Sequence, residues 1–317
     1  MAEFQLPSAR SHLPIFIAGP TAVGKSEIAL ALAEKIGGEI ISADSMQVYR
    51  GLDIGTAKPS PAECARVPHH LVDVCDLTEN FDAAQFIRLA QRAVEEIQSR
   101  NKTPIFCGGT GLYFKAFLSG IGEAPGTNPE LRAELEALSF ESLLKELRER
   151  DPAAYEKIDR QNPRRVIRAV EVIRLSGKKF SEQRAEWKAQ CAHPIKTNFY
   201  CLTRSPADLH ACINMRVDAM FARGLVEETR ELLRHGLERN KTAMQAIGYR
   251  QIVEHLHGER PLSETIGLVK SRTRQFAKRQ LTWFRRQLDA EWIELKPDEP
   301  PEKCLEKIQR EASSTRS

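Results

Sequence analysis

The sequence contains no C-x-x-C pair, and its seven cysteines, Cys64, Cys75, Cys107, Cys191, Cys201, Cys212 and Cys304, are scattered and odd in number. Neither a disulfide framework nor a zinc ribbon is the expected basis of the fold, and the thiols should behave as small apolar side chains. No apolar run nears the ~20 residues that a membrane-spanning helix requires. The run at 13–18 is short and interrupted by Pro14. No basic, apolar and small-residue leader pattern precedes it, so the cytoplasm is the expected compartment and no membrane partner is expected. Internal repeats and low-complexity blocks are absent too. Charge of one sign is barely in excess: 47 Lys and Arg against 43 Asp and Glu leave +4, so where the charge lies matters more than its sum. What is present is the composition of a globular chain with a core, 41% hydrophobic and 28% charged over 317 residues. That length suffices for two domains of roughly 150 residues.

The first half alternates short β-like runs with amphipathic stretches, the pattern of an α/β unit around a mostly parallel sheet. Residues 13–18 read as a buried strand followed by a glycine-rich turn, and helix formers run over 25–36 to a stop at Gly37-Gly38. Further strands are predicted at 39–43, 71–74, 103–107, 197–203 and 291–295. A helix is predicted over 82–100 from Ala83, Phe86, Ile87, Ala90, Ala93, Val94 and Ile97 at helical spacing. Residues 121–129, rich in Gly and Pro, read as a hinge, and 129–190 as charged helices without a strand. Ser205-Pro206 gives the cap and first-turn proline of a helix reaching about 223. The expected organisation is a first core segment over 1–120, a helical insertion over 121–195, a return to the core over 196–300, and a frayed polar tail over 301–317.

Gly19-Pro20-Thr21-Ala22-Val23-Gly24-Lys25-Ser26 matches G-x-x-x-x-G-K-[ST] in full, between a predicted strand and a predicted helix. There, backbone N–H groups can curl around phosphate oxygens at a helix N-terminus. Lys25 would bring a point charge to the terminal phosphates, and the Ser26 hydroxyl a ligand to Mg²⁺. The cradle predicts a phosphorylated or diphosphorylated ligand, but it serves a kinase, an NTPase or a transferase with a diphosphate leaving group equally well. An ATPase commonly has an apolar strand ending in Asp or Glu for magnesium. Here 104–107 runs into Gly108-Gly109-Thr110-Gly111, and the carboxylate is Asp44, at the end of the second strand. By position it is a base, a magnesium ligand or the cap of a turn.

Further segments follow in order: Asp44-Ser45-Met46-Gln47-Val48-Tyr49, Asp53-Ile54-Gly55-Thr56-Ala57-Lys58, His69-His70-Leu71-Val72-Asp73 and Gly108-Gly109-Thr110-Gly111-Leu112-Tyr113. Then come Asn162-Pro163-Arg164-Arg165-Val166-Ile167-Arg168-Ala169, Arg216-Val217-Asp218-Ala219-Met220 and Ala243-Met244-Gln245-Ala246-Ile247-Gly248-Tyr249. With the cradle, and over about residues 13–295, this set resembles the bacterial-type tRNA dimethylallyltransferases (tRNA isopentenyltransferases). The resemblance implies a P-loop NTPase-like α/β fold, a mostly parallel sheet with flanking helices plus an inserted all-helical domain. It also implies transfer of a dimethylallyl group from dimethylallyl diphosphate to N6 of adenosine 37, beside the tRNA anticodon, with diphosphate released. Carried over by motif, Asp44 is the base, Thr110 lines the channel where acceptor and donor meet, and Arg216 joins Lys25 and Ser26-bound Mg²⁺ at the diphosphate. The tRNA would be held by Asp44, Ser45, Met46, Gln47, Thr110, Arg132, Arg164, Arg165, Val166, Ile167, Arg168, Gln245, Ala246, Ile247, Gly248, Tyr249 and Arg250. A monomer is expected.

Without the resemblance, Arg216 reads as part of a solvated helix face. His69-His70 lacks further ligands at zinc spacing and reads as packing, and Met46 and Tyr49 as core. Basic charge gathers in two places: 160–179 holds seven Lys and Arg with only Glu171 in opposition, and 271–286 holds six with no acid. Such stretches track a phosphate backbone, and Phe276, Trp283 and Phe284 within the second could stack on bases or, with Leu281 and Leu288, pack inward. Rival readings are an adenylate isopentenyltransferase, a small-metabolite P-loop kinase and a non-catalytic, nucleotide-gated RNA-binding protein. Only the last has no use for Asp44.

Overall fold

Ile15–Ala18 (β1) is apolar at every position because it is the interior of a sheet covered on both faces. A computed structural model of the chain describes residues 13–120, 125–183, 198–297 and 299–314. In it β1 is joined by Glu39–Ser42 (β2), His69–His70 (β3), Pro104–Gly108 (β4), Asn198–Thr203 (β5) and Glu291–Glu294 (β6). The order is β3-β2-β4-β1-β5-β6 and every pairing is parallel. Parallel neighbours require crossover connections, which is why helical segments separate the strands. Ala18 is in register with Gly108 on one side and Cys201 on the other, and Ser42 with Cys107. The loops after β1, β2 and β4 therefore leave one edge of the sheet side by side, at its C-terminal end, where open α/β sheets bind ligands.

Alternation along the strands divides the core. Ile15 and Ile17 face a cluster with Ile28, Leu32, Leu202, Ile213 and Val217. Phe16 points the other way, stacked on Phe106 at 4.9 Å and Phe199 at 5.7 Å, with Phe114 edge-on to both Phe16 and Phe199. The helix Lys25–Ile36 ends where expected, at Gly37 in the left-handed conformation (φ 67°). Ser205 caps Pro206–Ala222 by accepting the Asp208 N–H.

Two expectations need correction. Residues 71–74 are not a strand: Leu71 and Asp73 have φ of 61° and 56°, which no extended strand accepts, and the third strand is the histidine pair just before them. The polar 301–317 segment is not frayed over 301–314 but forms the helix Pro301–Ser314, whose Cys304, Leu305 and Ile308 are buried in the core cluster. Three apolar residues at i, i+1 and i+4 suffice to dock a helix that is otherwise charged. Residues 121–124 of the expected hinge, 184–190 of the helical block, Thr197 and 315–317 lie outside the described residues.

The contacts divide the chain into two units, 1–115 with 196–317, and 116–195. In the second unit, Pro129–Ala137, Phe140–Arg150, Pro152–Lys157 and Pro163–Ser176 pack Leu135, Leu143, Leu147, Val166 and Val170 together. Glu171, fully buried on this helix, accepts hydrogen bonds from the Asn128 N–H, Arg132 and Arg168. Arg168 also donates to the Pro125 carbonyl. Removing a buried carboxylate leaves its cations unopposed. Glu171→Ala should therefore destabilise this unit by about 3–5 kcal/mol, read by denaturant unfolding of the full chain. A cost below about 1 kcal/mol, the range of a surface ion pair, would contradict the role assigned to the cluster.

Candidate active site

The loop after β1 turns sharply because its glycines allow it. Gly19 (φ 148°) passes so near β5 that a Cβ there would stand 2.6 Å from the Leu202 carbonyl oxygen, while Gly24 (φ 106°) opens the following helix. No side chain caps that helix, so its first N–H groups remain available to an anion. Val23, fully buried, pins the loop to the core. Lys25 Nζ donates to the Pro20 carbonyl at 2.6 Å, folded across its own loop. Burial pushes its pKa down to about 8; the Arg216 charge pushes the same way, while Cys107 and Asp44 oppose. The nearby thiols are inert: burial lifts Cys107 to about 11 and Cys201 to about 12, leaving both protonated at neutral pH. Ser26 lies exposed in the first helical turn.

Asp44 follows β2, which lies two strands from β1 with β4 between them. Its Oδ1 accepts the Met46 N–H at 2.9 Å, so the turn-capping reading is partly right. The turn leaves Oδ2 without a hydrogen bond among the described residues, while the charge acts on both Lys25 and Arg216. Thr110 braces this turn from β4's exit: its N–H donates to the Ala43 carbonyl and its Oγ1 accepts the Ser45 N–H at 3.0 Å. The approach depends on Gly108, where a Cβ would stand 2.1 Å from the Ala43 oxygen. Arg216, half-buried on Pro206–Ala222, makes no hydrogen bond or ion pair among the described residues. Burial lowers its pKa, and Asp44 offsets this in part. A guanidinium carries five donors, and one withdrawn from water without a partner suits an anionic ligand. The cradle, Lys25, Arg216 and Asp44 thus form one group, in which Arg216 and Asp44 both act on Lys25 and Asp44 acts on Arg216.

Two residues of this group were not found in the sequence. Arg204 Nε donates to the Val23 carbonyl and its guanidinium lies beside Gly24. Its signal was a basic residue one position beyond a predicted strand. Gln280 accepts the Thr21 N–H, and its only signal was a polar residue in line with the buried Ala277 and Phe284. No group of three or more His, Cys, Asp or Glu side chains among the described residues could hold a metal ion.

The model of the family described as IPP transferase matches residues 47–287. That decides the kinship. The chain belongs to the IPP transferase family. The tRNA dimethylallyltransferase of Geobacter sulfurreducens is 45% identical over 88% of this chain and 91% of its own length. That of Thermomicrobium roseum is 43% identical over 93% and 90%. Among solved structures, the tRNA isopentenylpyrophosphate transferase of Bacillus halodurans is 37% identical with a TM-score of 0.69, covering 96% of this chain and 97% of that one. A eukaryotic dimethylallyltransferase solved acting on tRNA is 27% identical with a TM-score of 0.77, covering 96% and 80%.

Several of the segments singled out in the sequence hold the framework together. Tyr249 OH donates to Glu228 at 2.6 Å and accepts the Gly55 N–H at 3.0 Å, joining the 243–249 and 53–58 segments. Lys58 Nζ, almost wholly enclosed, donates to the Tyr49 carbonyl, Asp53 and Asp73. His69 bonds the Val67 carbonyl, and His70 the buried Glu39. Burial pushes the Glu39 carboxyl up, but hydrogen bonds from Arg100, His70 and Lys102 hold it down at about 2.

The residues expected at the tRNA divide by exposure. Ser45 and Met46 are half-buried beside Asp44, Ile167 and Ile247 are half-buried against the two cores, and Gln245 and Arg250 reach the surface, as do Arg164 and Arg165. The side chains of Val166, Ala246 and Tyr249 are buried, and Gly248 is enclosed with them. Arg132 and Arg168 are likewise spent on Glu171, and the Gln47 amide on Ser42, Thr56 and Ala57. Of the aromatics left open between stacking and packing, Phe284 is buried and Phe276 exposed; the buried line of the helix is Thr265, Val269, Ala277, Gln280 and Phe284.

Proposed function

We propose that this chain transfers the dimethylallyl group of dimethylallyl diphosphate to N6 of an adenosine next to the tRNA anticodon. The observation that carries the reading is the shared edge of the sheet, where a diphosphate cradle and a carboxylate outside it face one another. An adenine amine is a weak nucleophile because its lone pair is delocalised into the ring. As the bond from N6 to the donor C1 forms, the C1–O bond breaks, the N6 proton passes to Asp44 Oδ2, and the electron pair leaves with diphosphate. Charge accumulating on the leaving group is met by Lys25, Arg216 and the uncapped helix N-terminus. Thr110 acts by holding the Asp44 turn.

Mg²⁺ fits this site on the chemistry of its donors. It dehydrates reluctantly and commonly takes only one or two protein oxygens beside phosphate and water, and the exposed Ser26 hydroxyl provides one at the mouth of the cradle. When bound there it would supply positive charge to the diphosphate.

A base inside a crevice is reached only by an unstacked nucleotide, so the adenosine enters flipped out of the anticodon loop. Arg164 and Arg165 on one unit, and Gln245, Arg250, Arg272, Lys278, Arg279, Arg285 and Arg286 on the other, offer exposed polar and cationic groups to the RNA. Among the described residues no helix is long and apolar enough to cross a membrane, and the cytoplasm is the proposed compartment, with the chain acting as a monomer.

The test is a prenyl-transfer assay with Mg²⁺, labelled dimethylallyl diphosphate, and either unmodified tRNA or AMP as acceptor. Label on a single anticodon-loop adenosine, located by nuclease digestion and mass spectrometry, is the expected result. Label on AMP alone would move the chain to the mononucleotide branch, and label on neither would overturn the reading.

A further inference from the structure

The diphosphate cradle after β1 and the turn after β4 belong to different strand exits, and one side chain spans them. Gln280 lies on the inner line of Leu262–Gln287 and is only 7% exposed. Its Oε1 accepts the Thr21 N–H at 2.9 Å, from the cradle. Its Nε2 donates to the Gly109 carbonyl at 2.9 Å, in the turn that carries Thr110. Thr110 in turn fixes Ser45, adjacent to Asp44. The approach of the helix is built into the glycines: a Cβ on Gly109 would stand 2.4 Å from Gln280 Nε2, and one on Gly111 2.1 Å from the Trp283 ring. A primary amide is suited to this span because it accepts and donates at one end without charge. Glutamate would lose the donor and place a negative charge beside the diphosphate, and asparagine is one methylene too short.

We propose that Gln280 is a positioning residue for the transfer reaction, setting the distance between the diphosphate cradle and the turn after β4, whose Thr110 braces the turn that carries Asp44. Given the transfer activity proposed above, this distance aligns the donor carbon with the amine and the base. Misalignment of reacting groups by about 1 Å can cost 10²-fold in rate, so the effect should appear in kcat and leave RNA affinity alone.

The variant is Gln280→Met, similar in length but without the amide's donor and acceptor; Gln280→Glu keeps the shape should the methionine fold poorly. In the full chain kcat is expected to fall on the order of 10–100-fold, with the Kd for tRNA changed less than about twofold. Amide hydrogen exchange over 19–26 and 108–111 should quicken in both loops. Gly109→Ala, which pushes the amide away, should reproduce the loss, and the double variant should be no slower than the slower single one. A kcat within about twofold of the native chain, or exchange unchanged in the two loops, overturns the proposal. A loss residing wholly in tRNA affinity overturns it as well, assigning Gln280 to RNA binding instead. The exchange measurement needs no turnover, so it decides the link between the loops even if the native chain transfers label to neither acceptor.

Discussion

Asp44→Asn is expected to lower kcat by about 10²–10⁴-fold, the usual contribution of a positioned general base. The substitution is unusually clean here. The amide oxygen can still accept the Met46 N–H that Oδ1 accepts now, so the turn braced by Thr110 survives. What disappears is the charge and the ability to take a proton. Single-turnover transfer should therefore slow while tRNA binding, followed by filter retention, and Tm stay close to native. Normal turnover would remove Asp44 from the chemistry and revive the reading of it as a mere turn cap.

Lys25→Ala is expected to reduce kcat/KM for dimethylallyl diphosphate by about 10²–10³-fold, the scale of one lost charge-stabilising donor, with tRNA affinity unaltered. The native residue also sets a pH limb. Its folded-state pKa is depressed from 10.5 to about 8 by burial. Below about 8 the ammonium is present in the free protein and ready for an anion. Above it, binding must recover a proton, and affinity for inorganic diphosphate should fall by up to about tenfold per pH unit relative to Lys25→Ala, which has no such limb. The linkage to folding has the opposite sense: the enclosed ammonium weakens the fold below about pH 8, and that penalty is relieved as pH rises from 8 toward 10.5. Lys25→Ala should accordingly not lower Tm at pH 7. Parallel calorimetric titrations of the two proteins with diphosphate at pH 7 and pH 9 check the binding sign, and their Tm values at the same pH check the folding sign; a constant affinity ratio would refute the lysine's role.

The cradle was legible in the sequence because all its requirements are local. Glycines at fixed offsets, a lysine and a hydroxyl between a strand and a helix specify backbone geometry without help from distant residues. Asp44 was legible as a carboxylate at a strand end, and its choice as base came from family resemblance. The strand expected at 71–74 failed for a local reason, since composition does not reveal that Leu71 and Asp73 take left-handed dihedrals. The 301–314 helix was missed because three buried residues among many charges give a weak pattern.

By itself, then, the sequence determined most of the strands and helices in order, the glycine-rich turn after β1, and the family to which the chain belongs. Tertiary structure alone decided which members of each motif stay exposed and which are enclosed. Within 162–168 the arginines at 164 and 165 stay exposed while Val166 enters the core and Arg168 turns to Glu171. Within 245–250 Tyr249 turns inward to Glu228. It also decided that a glutamine 259 residues from Thr21 would tie the loop after β1 to the turn after β4 at Gly109. The physical reason is common to these cases: a side chain's hydrogen-bond partner is fixed by the packing of distant elements, and spacing along one chain carries no record of it.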